Sequence, residues 1–414
     1  MNIKKIIISL AFVLTLFSVS AYAKTMQFTM GDFDAKVDEG NIVVHTMEVS
    51  PYTVDGRTMV PARIVAETFG ADVDWVDTEN KVLITLGDKN ISLVIGELFA
   101  TVNGEQVTLD VPSVETNGRT LVPLRFVSET LGFDVKYVAS TQQILITNDI
   151  APIEINGAKV PLASFDALYD YYYLQFGSVY GEAGVASLVQ IRLMNYAISD
   201  VEADKWEITL PVDYYEGIAK TAAEISSLFP DTLDAVWANL IETETKEYEL
   251  NAFLAQRYMP DEATAEKYYK ENYMAAKHIL LLAETENAKS KIKDIKKQIT
   301  SGADFDELMN EYSEDTGLVT NPDGYYFTTG QMVQEFEDAV KKLKAGNVSG
   351  IVETDYGYHI IKRINLPAFD ETVYQTVASY VAKDGVAKHL SDIAEAAEIK
   401  ADAYTLEELV EICK

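Results

Sequence analysis

A repeated segment near the start of the chain constrains its fold more than any other feature of the sequence. Residues 56–63 read GRTMVPAR and residues 118–125 read GRTLVPLR, while the apolar segment VLIT at 82–85 recurs as ILIT at 144–147. Both segments recur at the same offset, and a constant offset indicates that one structural unit occurs twice. Any fold assigned to this part of the chain must therefore be a duplication.

Each copy of the unit is predicted to contain a turn, a short helix and strands. Apolar residues recur at helical spacing after each GRT segment, the run stops at Gly70 or Gly132, and residues of alternating polarity follow. The sequence thus predicts a duplicated α+β domain over residues 25–150. This domain resembles the copper amine oxidase N-terminal-like or stalk domain of secreted bacterial proteins.

The resemblance implies no copper site in this domain. A copper ion needs several imidazole or sulfur ligands, and His45 is the only histidine within residues 25–150. Two hypotheses remain open for the domain. One is attachment to a cell-wall component, and the other is a folded spacer without a ligand of its own.

The first residues are typical of a bacterial export signal. Lys4 and Lys5 supply positive charge, residues 6–19 are almost wholly apolar, and Ala-Tyr-Ala at 21–23 offers a small-x-small cleavage pattern. The apolar run is short for a membrane span of about 20 residues. We therefore expect cleavage after Ala23 rather than an uncleaved anchor, and an exported protein that is extracellular or associated with the cell envelope.

Cysteine use and charge exclude several classes of protein. No cysteine follows the apolar run, so lipoprotein acylation is not expected, and the single cysteine, Cys413, cannot form an internal disulfide. Lys and Arg total 34 against 65 for Asp and Glu, which gives a formal net charge of −31. Such an acidic surface repels polyanions, so nucleic acid is not expected as a partner. The 414 residues are enough for about three domains.

Residues 151–275 change in character and are predicted to be helical. Apolar residues recur at helical spacing, and Pro-Asp pairs at 230–231 and 260–261 resemble helix starts. Four tyrosines at 169 and 171–173 are too dense to share one helix face. They either pack mostly in a helical core or line a cradle that binds clients, because tyrosine offers both a ring and a hydroxyl.

Four short motifs occur in order within residues 276–366. They read AKHIL at 276–280, YSED at 312–315, GQMVQEF at 330–336 and YGYHII at 356–361. Taken together, they resemble the parvulin family of peptidyl-prolyl cis/trans isomerases. The resemblance implies an FKBP-like domain, in which a four-stranded antiparallel sheet is surrounded by helices.

Strand alternation places two of the four histidines where they can meet. His278 and Leu280 share one face of the first predicted strand, and His359 and Ile361 share one face of the second. If the two strands are neighbours, the imidazoles come together. The resemblance implies a catalytic role for both histidines and for Thr354, which would join their hydrogen bonds. No third ligand is suggested nearby, so a metal is not expected.

The resemblance also implies a seat for the proline ring and a charged group beside it. Met332 and Phe336 are four residues apart, so one helical turn would put both on the same side as substrate-binding residues. Asp315 follows the Tyr-Ser pair where parvulins carry a cysteine or an aspartate, and is predicted to lie beside the substrate carbonyl.

The sequence departs from the parvulin pattern in one loop. The family usually has Gly-Gly-Asp-Leu-Gly before its aromatic residue, whereas residues 321–327 read NPDGYYF and are one residue shorter. The leucine of the pocket is therefore missing from its usual place. Tyr325 or Phe327 is expected to replace it as a substrate-binding residue.

The layout of the whole chain predicts a multidomain α+β protein. In exported foldases of the PrsA and SurA kind, helices before and after the parvulin domain form one chaperone lobe, which here would be residues 151–275 with 367–414. We expect an exported foldase without a cofactor, which isomerises Xaa-Pro bonds in unfolded or partly folded exported proteins and also holds them. The alternatives are a non-catalytic chaperone or envelope binding protein on a parvulin scaffold, and a wall-associated structural protein dominated by residues 25–150.

Overall fold

The computed structural model describes residues 24–38, 41–148, 153–155, 158–160, 162–397 and 399–400. These residues form two compact units. One contains the described residues up to Leu250 together with those from Asp392 on, and the other is Asn251–Ser391. The predicted export signal at 1–23 and Cys413 lie outside the described residues. The predicted domain boundaries remain predictions.

The first unit begins with the duplicated domain, which contains three antiparallel sheets. The strands are β1 Thr25–Thr29, β2 Asp34–Asp38, β3 Ile42–Thr46, β4 Tyr52–Val54, β5 Arg57–Pro61, β6 Asp72–Val76, β7 Lys81–Leu86, β8 Lys89–Val94, β9 Phe99–Val102, β10 Glu105–Thr108, β11 Val114–Thr116, β12 Arg119–Pro123, β13 Asp134–Val138 and β14 Gln143–Thr147. Their orders in the three sheets are β13-β14-β1-β2-β3, β10-β9-β8-β7-β6 and β11-β12-β5-β4. The helices are α1 Ala62–Thr68 and α2 Leu124–Leu131. The predicted duplication of an α+β unit is confirmed.

The two GRT segments form identical hairpins. Asp55 and Gly56 both have positive φ, as do Asn117 and Gly118, which is the requirement of a two-residue type I′ turn. Strands β5 and β12 then pair antiparallel through Val60 and Val122. Equivalent residues of the two copies thus face each other, and the copies are related by an approximate twofold axis at this pair.

The helical part of the first unit follows directly. Helix α3 spans Leu162–Lys205 with a kink at Gly181, where φ is 64°. It is followed by α4 at Val212–Ser226 and α5 at Asp234–Arg257. A small sheet is formed by β15 Ile153–Ile155, which pairs with β16 Ala158–Val160 on one side and with β21 Ile399–Lys400 on the other.

One core joins residues from both ends of the predicted chaperone lobe. Buried Phe165 and Trp237 belong to this core, and Ile393 and Ala397 pack against it. Gln27 of the duplicated domain also contacts this part, because its amide donates a 2.5 Å hydrogen bond to Asp234.

The tyrosine cluster divides between core and surface. The ring of Tyr169 is buried, whereas Tyr173 is 44% exposed. Tyr171 and Tyr172 are partly buried against the core. Beyond Tyr173, exposed apolar side chains continue along the helix: Leu174, Phe176, Val179 and Tyr180.

The strands of the second unit are β17 Tyr273–Leu282, β18 Tyr325–Thr328, β19 Val348–Thr354 and β20 Gly357–Ile364. They form one four-stranded antiparallel sheet in the order β18-β17-β20-β19. The helices are α6 Glu262–Asn272, α7 Ala288–Thr300, α8 Phe305–Tyr312, α9 Gln334–Lys342 and α10 Glu371–Ala396, of which α10 belongs to this unit only up to Ser391. Thr316–Val319 forms a short 3₁₀ helix. Together with the first unit, this sheet confirms the predicted multidomain α+β class with an antiparallel parvulin-type domain.

The two faces of this sheet are both covered. Alternation puts Ile279 and Ile360 on the face that packs against α7 and α8, and Ala276 and Ile361 on the face that packs against Phe336 of α9. Within the described ranges, no helix is both long and apolar enough to cross a membrane.

Candidate active site

Two histidines meet on the face of the sheet that α9 covers. In the pairing of β17 with β20, His278 faces Ile361 and Leu280 faces His359, so the two imidazoles lie at diagonal positions on the same face. Their ring centroids are 5.3 Å apart. Both side chains are buried. The sequence-based expectation that they come together agrees with this geometry.

Each histidine has an oxygen partner at Nε2. Thr354 Oγ1 lies 2.9 Å from His359 Nε2 and also accepts a hydrogen bond from the backbone N–H of Tyr356. Asp315 Oδ2 lies 3.4 Å from His278 Nε2. Among the residues that the structure describes, neither Nδ1 atom has a hydrogen-bond partner. The site therefore holds two buried nitrogens that are open to a hydrogen bond.

Both histidines are held in the neutral form near pH 7. Burial lowers the pKa of His278, and the Asp315 carboxylate opposes this shift. Burial, together with the neighbouring His278, lowers the pKa of His359 to about 4. A neutral imidazole pair keeps the floor of the site uncharged.

Asp315 is anchored on both carboxylate oxygens. The backbone N–H of Gly317 donates to Oδ1 at 3.0 Å, and the hydroxyl of Tyr325 donates to Oδ2 at 2.6 Å. Burial of the ring raises the pKa of Tyr325, and the Asp315 carboxylate raises it further. The Tyr325 ring also stacks on His278, with a centroid distance of 5.8 Å.

The ring of Phe336 packs against both histidines. Its ring lies edge-on to both imidazoles, with centroids at 5.2 Å from His278 and 5.7 Å from His359. Phe327 packs against Phe336 at 5.9 Å, and half-buried Met332 contacts the same cluster. These side chains form an apolar surface directly beside the imidazoles.

Met332 reaches this surface by a different route from the one expected. Helix α9 begins only at Gln334, so Met332 and Phe336 do not share a helical turn. Met332 lies in the turn before the helix, because Val333 has extended backbone dihedral angles. The two side chains nevertheless meet in one cluster.

Glu337 holds that turn, and sequence reasoning missed it. Its side chain is only 1% exposed. Oε1 accepts hydrogen bonds from the backbone N–H groups of Gly330 at 2.7 Å and Met332 at 3.2 Å, and Oε2 lies 3.4 Å from Nζ of Lys341. The signal available in the sequence was an acidic residue directly after Phe336 in the GQMVQEFE segment. An acid buried at that position needs hydrogen-bond partners, which the preceding turn supplies.

The shortened loop at 321–327 brings its aromatic residues to the site in two ways. Phe327 is fully buried under Phe336, and Tyr325 binds Asp315 as described above. Gly324 has φ +95°, and a Cβ there would lie 2.7 Å from the carbonyl oxygen of Ala276. Only glycine allows this close approach. Tyr325 thus lies against His278, whereas Phe327 reaches the site only through Phe336.

Within the described residues, no group of three or more His, Cys, Asp or Glu side chains could hold a metal ion.

Comparisons with known proteins agree with this geometry. A family model described as the PPIC-type PPIASE domain matches residues 278–365, and one described as the copper amine oxidase N-terminal domain matches residues 22–146. Foldase protein PrsA 1 of Bacillus cereus is 36% identical over 185 residues, which is 41% of this chain and 62% of that protein. Foldase protein PrsA 3 of Bacillus anthracis is 33% identical over 222 residues, which is 51% of this chain and 70% of that protein.

The chain thus covers less than two thirds of the first of these relatives. Among solved structures, the peptidylprolyl isomerase PrsA of Bacillus anthracis is 25% identical to this chain. The match covers 48% of this chain and 92% of that one, with a TM-score of 0.27.

Proposed function

Because this chain belongs to the PrsA family of foldase proteins, we propose that it catalyses cis/trans isomerisation of Xaa-Pro bonds in unfolded or partly folded exported proteins. The chemistry takes place in Asn251–Ser391, which carries the PPIC-type match, and needs no cofactor or metal. The helices of the first unit hold the client. The protein acts outside the cytoplasm, extracellularly or at the envelope, after cleavage following Ala23.

The reaction requires rotation about a conjugated amide bond. The barrier is about 18–20 kcal/mol, and the uncatalysed event takes roughly tens to hundreds of seconds, which is slow enough to limit folding. No bond is made or broken and no proton must be transferred. An enzyme accelerates the rotation by binding the twisted amide better than either planar form.

The neutral histidine pair under Phe336 is the observation that carries the proposal. The apolar surface of Phe336, Phe327 and Met332 suits a proline ring, because all three side chains already pack in one cluster. The buried imidazoles beside it exclude water from the bound bond. Loss of amide conjugation concentrates electron density on the imide nitrogen, so a dry pocket with hydrogen-bonding nitrogens favours the twisted state.

Asp315 adds a charged group at the edge of this surface. Its carboxylate is held by Tyr325 and Gly317 and still contacts His278. In this position it orients His278 and repels electron density on the carbonyl oxygen of the bound imide. Both effects favour rotation away from the planar amide.

The exposed apolar side chains of α3 support the holding function. Leu174 and Val179 are each more than 70% exposed, and Tyr173, Phe176 and Tyr180 lie among them. A run of exposed apolar and tyrosine side chains binds unfolded segments, which offer similar side chains in no fixed order. The acidic surface, with a net charge of −31, keeps such a protein soluble while it holds a client.

The test is the rate of cis-to-trans conversion of short Xaa-Pro peptides with varied Xaa. The full chain without residues 1–23 is compared with its His278→Ala, Met332→Ala double variant. Met259→Ala serves as a matched control, because Met259 is exposed and belongs to the same unit. Circular dichroism establishes that all three proteins are folded.

We expect acceleration from the parent and the control but not from the double variant. Equal acceleration by the double variant would mean that the site has been misassigned. No acceleration by the folded parent, with any Xaa, would instead favour a non-catalytic chaperone whose shortened loop at 321–327 has lost the reaction.

A further inference from the structure

The duplicated domain carries two clefts that are built in the same way. Cleft A, of about 530 Å³, is lined by Arg57 of the first hairpin and by Arg125, Glu129 and Tyr137 of the second copy. Cleft B, of about 910 Å³, is lined by residues at the same positions with the two copies exchanged. These residues are Arg119 of the second hairpin and Arg63, Glu67 and Trp75 of the first copy.

The approximate twofold axis explains why each cleft draws on both copies. Strands β5 and β12 pair antiparallel at Val60 and Val122, so each hairpin extends across the axis and lies against the helix of the other copy. Neither copy could form a cleft alone. The duplication therefore creates two sites at once.

Three exposed charged side chains of each cleft are the same in both copies. Arg57 and Arg119 correspond, and so do the Arg63–Glu67 and Arg125–Glu129 pairs, although all six side chains are more than 40% exposed. The next shared position is aromatic in both copies. It is Trp75 in the first copy and Tyr137 in the second, and both side chains are exposed.

Other exposed positions of the first copy have diverged. Asp74, which lines cleft B, corresponds to half-buried Lys136 in the second copy, and Glu79 corresponds to half-buried Thr141. Packing explains why buried residues are retained in both copies, but it does not explain the retention of exposed ones. Two explanations remain for the exposed set: ion pairs that tie the copies together, or a shared ligand.

The charge balance of the clefts limits the ligand. Arg57 Nε lies 2.7 Å from Asp110 Oδ2, and Arg119 forms the equivalent ion pair with Glu48. Because each arginine already faces a carboxylate, neither cleft presents a net positive charge. A polyanion would gain nothing from these clefts and would be repelled by a chain of net charge −31.

The remaining chemistry fits a neutral sugar. A guanidinium has five N–H donors, so a carboxylate partner leaves several free, and the carboxylates leave acceptor positions free as well. Hydroxyl and amide groups of a sugar can use both kinds of position. The exposed faces of Trp75 and Tyr137 offer an apolar platform for a pyranose ring, while the edge of the sugar remains hydrogen-bonded.

We propose that clefts A and B are two related binding sites for a neutral glycan strand. A repeating polymer can occupy both sites of one domain, which raises the overall affinity above that of either site. This binding is independent of the isomerase site in the other unit. It would attach the foldase to a polysaccharide surface.

The experiment uses the full chain without residues 1–23 and isothermal titration calorimetry. The probes are hexamers of β-1,4-linked N-acetylglucosamine and of β-1,4-linked glucose, with polyglutamate as the anionic probe. The variants are Tyr137→Ala, Trp75→Ala and the double variant. Phe33→Ala is the matched control, because Phe33 is an exposed aromatic residue of the same domain that lines neither cleft.

We expect at least one neutral hexamer to bind the parent and Phe33→Ala equally. Each single variant should weaken binding about fivefold, because one stacking platform is lost, and the double variant should not bind. The unfolding midpoint should be unchanged, since neither ring takes part in the ion pairs between the copies. Failure of both neutral hexamers to bind the parent overturns the proposal. Equal binding by the double variant, or a preference for polyglutamate, also overturns it.

Discussion

The hydroxyl of Tyr325 donates a 2.6 Å hydrogen bond to the carboxylate oxygen of Asp315 that lies 3.4 Å from His278. The shortened loop thus supplies the group that orients the acid at the site. Tyr325 both stacks on His278 and anchors Asp315. That Tyr325 takes the place of the pocket leucine stays a prediction.

Tyr325→Phe tests this relationship. The ring that stacks on His278 remains, but Asp315 loses its shortest hydrogen bond, so the carboxylate is less firmly oriented. We expect a several-fold fall in kcat/KM for Xaa-Pro peptides and a loss of about 1–2 kcal/mol in the free energy of unfolding. Tyr312→Phe is the control, because Tyr312 is an exposed tyrosine of the same unit. Unchanged kinetics in Tyr325→Phe would show that the orientation of Asp315 does not matter.

Met332→Ala together with Phe336→Ala should abolish isomerisation and leave client holding intact. The two changes remove the surface that would seat the proline ring, whereas the exposed apolar residues of α3 are untouched. Suppression of aggregation of an unfolded client measures holding, and peptide turnover measures catalysis. Truncation of buried Phe336 also costs about 3–5 kcal/mol of stability, so both assays are run well below the unfolding midpoint of the variant. Turnover that persists in the double variant would place the proline elsewhere.

The pH dependence of stability should report on His359. Burial and His278 lower its pKa to about 4 from the ordinary value of 6.5. Between these two values the unfolded chain binds a proton that the folded chain does not. The contribution of His359 is therefore fully present above pH 6.5 and is lost as the pH falls towards 4, by at most about 3 kcal/mol.

Comparison with His359→Gln isolates this contribution from the titration of carboxylates. Urea unfolding of both proteins from pH 8 to pH 4 measures the difference in the free energy of unfolding. We expect the parent to lose stability faster than the variant on acidification. Parallel curves over the whole range would contradict the lowered pKa.

Sequence patterns predicted the parts of the site that depend on strand alternation. Side chains alternate between the two faces of a strand, so the sequence predicts which face carries His278 and which carries His359. Pairing of the two strands as antiparallel neighbours then brings the imidazoles together. The constant offset in the first domain likewise predicted two copies of one unit. These features follow from local periodicity, which the sequence carries directly.

Features that depend on chain segments meeting in space were not predictable in this way. The offset does not say that each hairpin lies against the helix of the other copy, because that depends on the pairing of β5 with β12. Nor does the sequence indicate that Tyr325 would reach Asp315. Met332 was expected on a helix because four-residue spacing suggests one, but the helix begins later, where the turn held by Glu337 ends.

Glu337 is expected to position Met332 through the backbone of the turn. Glu337→Ala leaves the N–H groups of Gly330 and Met332 without their acceptor, so the turn should loosen and the free energy of unfolding should fall by about 2–4 kcal/mol. Because Met332 is proposed to seat the proline ring, KM for Xaa-Pro peptides should rise more than kcat falls.

Two further variants separate positioning from general destabilisation. Glu337→Gln retains a carbonyl oxygen that can accept both hydrogen bonds, so it should restore most of the KM while losing only the ion pair with Lys341. Glu335→Ala removes an exposed acid from the first turn of the same helix and should leave both stability and kinetics nearly unchanged. If Glu337→Gln behaves like Glu337→Ala, the negative charge rather than the two hydrogen bonds holds the turn. If Glu337→Ala loses stability without any change in KM, Glu337 supports the fold alone and does not position the proline seat.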